Sequence, residues 1–210
     1  MILRFTEENF HSLCDGLAAK NKYLRAIITA HGYPPFWTRP NKFETLVLTI
    51  LEQQVSLASA YAAYKRLKER LPELTPENFI ILSDEDLRSC YFSRQKIVYV
   101  RGLAQAILSK QISLKSFEAK EDEEVRKELI ALKGIGNWTV DVYLLHTLQR
   151  TDVFPIGDIA LINAVRAVTD KPLTKEEILT LSEKWKPYRS IATLIFWHYY
   201  IIKRNIKLLH

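Results

Sequence analysis

Leu132-Lys133-Gly134-Ile135-Gly136-Asn137-Trp138-Thr139 is the stretch on which the reading of this chain turns. Before it, Glu121 to Leu132 carries apolar residues at helical spacing, and after it Asn137 to Leu148 does the same. Between them two glycines bracket one apolar residue. Glycine permits positive φ and, having no side chain, lets another backbone come close. A tight turn that opens into a helix N-terminus also points several N–H groups outward, which suits an anion such as phosphate. A bare G-x-G is equally the signature of an ordinary helix–helix turn, and spacing alone leaves both readings open.

Working outward, the period of three and four persists. Phe43 to Ser56 reads as a helix through Phe43, Leu46, Val47, Ile50 and Leu51, and a second follows with Leu57, Tyr61, Tyr64 and Leu67 on one face. Thr75-Pro76 is an N-cap with proline at the first helical position. Ser83 caps a short helix and Ser93 a longer one, Arg94 to Leu108. Ile159 to Val168 is helical, Thr174 and Glu177 have capping-box spacing, and after Pro187 a very apolar helix runs from Arg189 to Lys203. Alternating strand patterns are missing. The expectation is an all-α protein of about ten helices, with Tyr33 to Pro40 and Thr151 to Gly157 as the linker candidates.

Composition narrows the class. The 210 residues are 48% hydrophobic and 26% charged, which predicts a globular protein with a substantial core. The net charge of +6 favours a polyanionic partner without establishing one. Two cysteines, Cys14 and Cys90, exclude a disulfide scaffold, a zinc finger and a four-thiolate iron–sulfur site. Met1 to Phe10 lacks the apolar core of a secretory signal, and no apolar run reaches the ~18 residues of a membrane span. The expected setting is intracellular and reducing, with no membrane contact. The charge-dense run Glu118 to Glu128 reads as a solvated face. From Ile178 onward Glu183 is the one acid against Lys184, Lys186, Arg189, Lys203, Arg204 and Lys207, a tail that suits phosphates or simply solvent.

Val153-Phe154-Pro155-Ile156-Gly157-Asp158 ends at a helix entry, so Asp158 sits at the N-cap position. Most aspartates there only cap. The same placement also holds a carboxylate beside the positive end of a helix, where it can stabilise a developing oxocarbenium ion or activate water. Trp138, Tyr143, Trp185, Tyr188, Phe196, Trp197, Tyr199 and Tyr200 crowd the last third of the chain. Helical aromatics usually build core; they can also line a pocket that stacks a base or holds a cation.

Taken in order, these stretches resemble the helix-hairpin-helix DNA glycosylases, and among them the alkylpurine branch, the DNA-3-methyladenine glycosylase II proteins. Leu132 to Thr139 followed by Asp152 to Asp158 is similar to the family signature. Ile50-Leu-Glu-Gln-Gln-Val-Ser56, Phe92-Ser-Arg-Gln-Lys96 with Leu103-Ala104, and Trp185-Lys-Pro-Tyr-Arg-Ser190 with Phe196-Trp197 agree, in the family's order. The resemblance implies two helical lobes with a DNA-binding cleft between them. One would be residues 41–150 with the helix-hairpin-helix, the other residues 1–40 with 151–210, carrying the catalytic aspartate. It implies that Asp158 is catalytic and that Lys133, Gly134, Ile135 and Gly136 hold a backbone phosphate, with a monovalent cation on nearby carbonyls. Trp138 stands where lyase-active relatives place a nucleophilic lysine, so no Schiff base is expected there. Gln54 matches the side chain inserted into the duplex; Arg189, in the basic tail, is expected on DNA, and Trp138 and Trp197 are expected to flank the base. Val142 and Ile159 stand where some relatives have aromatic pocket residues.

The implied function is a monomeric, monofunctional glycosylase that flips alkylated purines out of double-stranded DNA and hydrolyses the N-glycosidic bond. It would need no cofactor and no catalytic metal. The alternatives are a related glycosylase for uracil, hypoxanthine or a mismatched base, a non-catalytic DNA-binding module, and a helical scaffold.

Overall fold

The computed structural model describes residues 2–206. Twelve α-helices account for most of them: α1 (Glu7–Lys20), α2 (Lys22–His31), α3 (Phe43–Glu52), α4 (Leu57–Arg70), α5 (Pro76–Ile81), α6 (Asp84–Ser89), α7 (Arg94–Leu108), α8 (Asp122–Ile130), α9 (Asn137–His146), α10 (Ile159–Thr169), α11 (Lys175–Ser182) and α12 (Arg189–Lys203), with short 3-10 turns at Leu114–Glu118 and Glu183–Trp185. Among the described residues the one β-like feature is an isolated antiparallel bridge between Arg4 and Arg150. No described helix is long and apolar enough to cross a membrane.

The caps expected from sequence are made. The Asn78 amide donates to Thr75 Oγ1, that of Asp86 to Ser83 Oγ and that of Lys96 to Ser93 Oγ. Thr174 and Glu177 exchange both bonds of a capping box. Helices α1 and α2 were not delineated by the periodicity; Asn21 separates them, its Oδ1 accepting from the amides of Tyr23 and Leu24. The helix expected to reach Ser56 stops at Glu52, because Gln54 turns into the left-handed region (φ 56°) and Ser56 caps α4.

The chain forms two compact units. Of the described residues, the first holds those up to Thr38 and 144–206; the second is Arg39–Tyr143. Leu144 to Arg150, grouped on sequence with the hairpin, thus lie in the other unit. In the first unit α12 packs on α10, α2 and α1. Its core includes Phe5, Phe10, Leu24, Leu161, Val165, Trp185, Leu194, Ile195 and Phe196, all buried. Phe36, from the Pro-rich linker, meets Phe5 and Phe10 edge-on at 5.9 and 5.5 Å. In the second unit α3 is buried from Thr45 to Leu51 and packs on α4 and α7. An unbroken apolar stretch such as Leu46 to Leu48 fits a helix surrounded on all sides.

Candidate active site and nucleic-acid interface

Asp158 is the N-cap of α10, as expected. Its Oδ1 accepts two hydrogen bonds, from the Leu161 amide at 2.8 Å and from the Trp197 indole Nε1 at 3.0 Å. The first is the ordinary capping bond. The second ties α12 to the cap and fixes the carboxylate in rotation, so Asp158 is an oriented, half-buried anion at the positive end of a helix. Trp197 is itself held flat against His146, with ring centroids 5.4 Å apart and planes inclined by 7°. The expected pocket wall is therefore also a partner of the carboxylate. Ile159, directly after the cap, is 73% exposed.

The loop that delivers Asp158 is clamped. Arg189 Nε donates to Asp152 Oδ1 at 2.8 Å and Nη2 to Asp152 Oδ2 at 3.0 Å, a two-pronged ion pair, while Nη1 reaches Glu183 at 3.5 Å. Ser190 adds a bond from the Val153 amide to its Oγ at 2.9 Å. Arg189, expected on DNA, here directs its fork inward and holds the 152–158 loop. Elsewhere in the basic tail Lys186 pairs with Glu183 at 2.7 Å and Arg204 lies over the Tyr200 ring; Lys207 falls outside the described residues.

The second unit carries the hairpin. Gly134 takes φ 89°, and the Tyr99 ring lies against it so closely that a Cβ there would stand 2.0 Å from Tyr99 Cγ. Both reasons for glycine, backbone freedom and close approach, hold at this one position. Ile135 is buried, and its amide donates to the Leu132 carbonyl at 3.1 Å. It is thus the peg of the turn and its N–H points inward, which corrects the expectation that this amide meets phosphate. The amides of Gly136 and Asn137 precede the first bond of α9, from Val140 to the Gly136 carbonyl, and belong to the helix end that favours anions. Lys133 is exposed beside them and Trp138 is half-buried in the first turn of α9; Val142 is buried one turn on. Arg126 links the two helices of the motif, reaching Asn137 Oδ1 at 3.0 Å and Asp141 Oδ1 at 2.6 Å.

The turn after α3 is built one residue at a time. Glu52 is gripped by both terminal nitrogens of Arg39, at 2.9 and 2.7 Å. Gln53 Nε2 donates to the Gly134 carbonyl and to Thr139 Oγ1, each at 2.9 Å. Gln54 follows, exposed and in the left-handed conformation. Lys96 donates to the last-turn carbonyl of Leu51 at 2.7 Å, and burial pushes its ammonium pKa down. Sequence reasoning named Gln54 and missed Gln53, the residue that reaches the hairpin. It also missed Tyr99 and His146. The adjacent glutamines were a signal for the first; no local pattern pointed to the others, whose partners lie 35 and 51 positions away.

Residues 47–187 match the family model described as HhH-GPD superfamily base excision DNA repair protein. The chain is 33% identical over 174 residues to DNA-3-methyladenine glycosylase 1 of Schizosaccharomyces pombe, covering 76% of this chain and 75% of that protein. It is 31% identical over 173 residues to a DNA-3-methyladenine glycosylase of Bacillus subtilis, covering 75% of this chain and 57% of that protein. The chain spans 64% and 57% of the lengths of two Bacillus subtilis relatives. Among solved structures, the Schizosaccharomyces pombe 3-methyladenine DNA glycosylase in complex with abasic DNA superposes with a TM-score of 0.82 at 29% identity, over 89% of this chain and 95% of that one. With the oriented Asp158, the glycine hairpin and a match across two thirds of its length, the chain belongs to the HhH-GPD superfamily of base excision DNA repair proteins.

Proposed function

We propose that the protein is a monofunctional DNA glycosylase that hydrolyses the N-glycosidic bond of N3- and N7-alkylated purines in double-stranded DNA. The observation that carries this reading is the doubly bonded carboxylate of Asp158, held by the Leu161 amide and the Trp197 indole. Names of relatives such as DNA-3-methyladenine glycosylase 1 support the substrate class.

The reaction is an electron-pair transfer. The bond between C1′ and the purine nitrogen breaks, and its electrons neutralise the positive charge of the alkylated base. That base therefore leaves without needing a proton. Deoxyribose becomes an oxocarbenium ion, which the Asp158 carboxylate stabilises electrostatically. Water adds to C1′ and gives its proton to Asp158 or to solvent, leaving an abasic site. Trp197 supplies an aromatic wall beside the carboxylate, where a cationic base gains a cation–π contact. Lys133 and the amides of Gly136 and Asn137 meet a backbone phosphate, and Gln54 enters the stack as the base leaves it. Both the hairpin and the aspartate come from one chain, which suits action as a monomer. The turn's carbonyls, including Leu132 and Gly134, would hold a structural monovalent cation through the lone pairs a carbonyl oxygen offers, and no step of the reaction runs through it. Trp138 in place of a lysine leaves this position without an amine, so strand cleavage is not part of the activity.

The test is single-turnover release of 7-methylguanine from a duplex, with the strand cut only after alkali. Asp158→Asn should lose roughly 100- to 1000-fold in rate while keeping duplex affinity and melting temperature, because Asn caps a helix as well as Asp. A variant that retains most of its rate makes Asp158 a cap and nothing more.

A further inference from the structure

His146 lies in the last turn of α9. Its Nδ1 is 2.9 Å from the carbonyl oxygen of Trp37. A carbonyl only accepts, so Nδ1 carries the proton of this bond. Trp37 is presented by a tight turn in the Pro-rich linker, its own amide donating to the Pro35 carbonyl at 2.8 Å. The imidazole plane is thereby fixed, and the Trp197 indole lies on it, tilted by only 7°. The indole edge then donates to Asp158 Oδ1 at 3.0 Å. All four residues belong to the first unit.

A histidine at a helix C-terminus has a simpler use, as a charge facing the last carbonyls. Here Nδ1 points at another segment, and the ring face is taken by an aromatic that itself bonds the proposed catalytic group. A phenylalanine would fill the same volume and stack equally well. The donor to Trp37 is what a purely packing residue lacks.

We propose that His146 is a positioning residue for the glycosylase reaction: it sets the plane of Trp197 and, through the indole N–H, the direction of the Asp158 carboxylate. The inference rests on the reading of Asp158 given above. A reacting group displaced by about 1 Å can cost on the order of 100-fold in rate, and an indole released from its stack can rotate by far more than that.

Three variants separate the two contacts. His146→Phe keeps the ring and loses the donor, His146→Asn keeps a donor near Nδ1 and loses the stack, and His146→Ala loses both. The readouts are single-turnover release of 7-methylguanine at saturating enzyme, duplex Kd, and the indole N–H resonance of Trp197 by heteronuclear NMR, assigned with Trp197→Phe. In His146→Ala the rate should fall by roughly 10- to 100-fold, with Kd within about twofold of wild type and the Trp197 resonance displaced. The Phe and Asn variants should each recover part of the rate and part of the resonance position. If His146→Ala does not fold, these two decide alone, by the same criterion. A folded variant with an unchanged rate, a rate loss accounted for by Kd, or a rate loss with an unmoved indole resonance overturns the proposal. Failure of the underlying reading looks different: Asp158→Asn would keep its turnover, while the resonance would still report whether His146 orients Trp197.

Discussion

Gly134→Ala tests the hairpin directly, and its cost can be worked from the structure. At φ 89° an L-residue is strained, by about 1–2 kcal/mol for the left-handed region. The new methyl would also stand 2.0, 2.3 and 2.4 Å from three carbons of the Tyr99 ring, where real Cβ contacts essentially never fall below 3.0 Å. The ring must therefore move. Tyr99 is half-buried, so it can swing outward, but only by giving up its packing on the turn. Overpacking of this kind costs about 1–3 kcal/mol, which brings the total to about 2–5 kcal/mol. For a chain of this size that corresponds to roughly 4–20 °C in melting temperature. Urea denaturation of the single variants and of Gly134→Ala with Tyr99→Ala separates the two parts. Removing the ring should abolish the clash and leave the backbone strain, so the double variant should be more stable than the sum of the single effects predicts, by at least ~1 kcal/mol. A single-variant cost under about 1 kcal/mol, or strict additivity in the cycle, would refute the claim that Gly134 is required by the approach of Tyr99.

Gln53→Ala removes both bonds into the hairpin, at Gly134 and Thr139, and should weaken duplex affinity by roughly tenfold, from about 1–1.5 kcal/mol of lost order, measured by fluorescence anisotropy. Arg189→Ala frees the loop before Asp158; it should lower the single-turnover rate more than the affinity, where a residue acting only on phosphate would lower affinity and flatten its salt dependence. Borohydride should trap no covalent complex with damaged DNA; a trapped species would identify an amine nucleophile and end the monofunctional reading. Burial pushes the Cys14 thiol up to about 12. A group whose folded pKa is raised contributes stability below its unfolded pKa and loses it as pH rises to the folded one, so stability should decline between about pH 9 and 12, and Cys14→Ala should flatten that decline in urea titrations.

How much of this was legible in the sequence depends on how far apart the interacting residues lie. The helices from α3 onward announced themselves through local patterns: apolar spacing, and the caps Thr75, Ser83, Ser93 and Thr174, whose partners are three residues away. The Asp158 N-cap was legible for the same reason. Arg189 was assigned to DNA because a basic tail suggests phosphate; its hold on Asp152, 37 positions upstream, left no local trace. Trp197 was placed in the pocket from resemblance, but its bond to Asp158 spans 39 positions and leaves no periodic trace. Ile135 was counted among phosphate-binding amides because it stands between the two glycines; only the bond to Leu132 shows that its N–H faces inward.

In the turn after α3 the two glutamines divide the work on the reading proposed above, one anchoring the turn and the other inserting. A side chain that is to enter a base stack must project from a backbone that does not yield when it meets resistance. Glu52 and Gln53 provide that backbone: one is held by Arg39, the other by the hairpin carbonyl of Gly134. Lys96 closes the end of α3 through the Leu51 carbonyl, and accepts burial that pushes its ammonium pKa down to do so. Gln54 then leaves this anchored pair at φ 56°, the conformation that turns the chain out of the helix and puts its side chain in solvent. Because Gln53 bonds the turn proposed to grip phosphate, insertion of Gln54 and docking of the hairpin are, on the proposed reading, one mechanical event. On that reading a phosphate contact would fix where the duplex lies, and the bonds of Gln53 would fix where the inserted side chain stands.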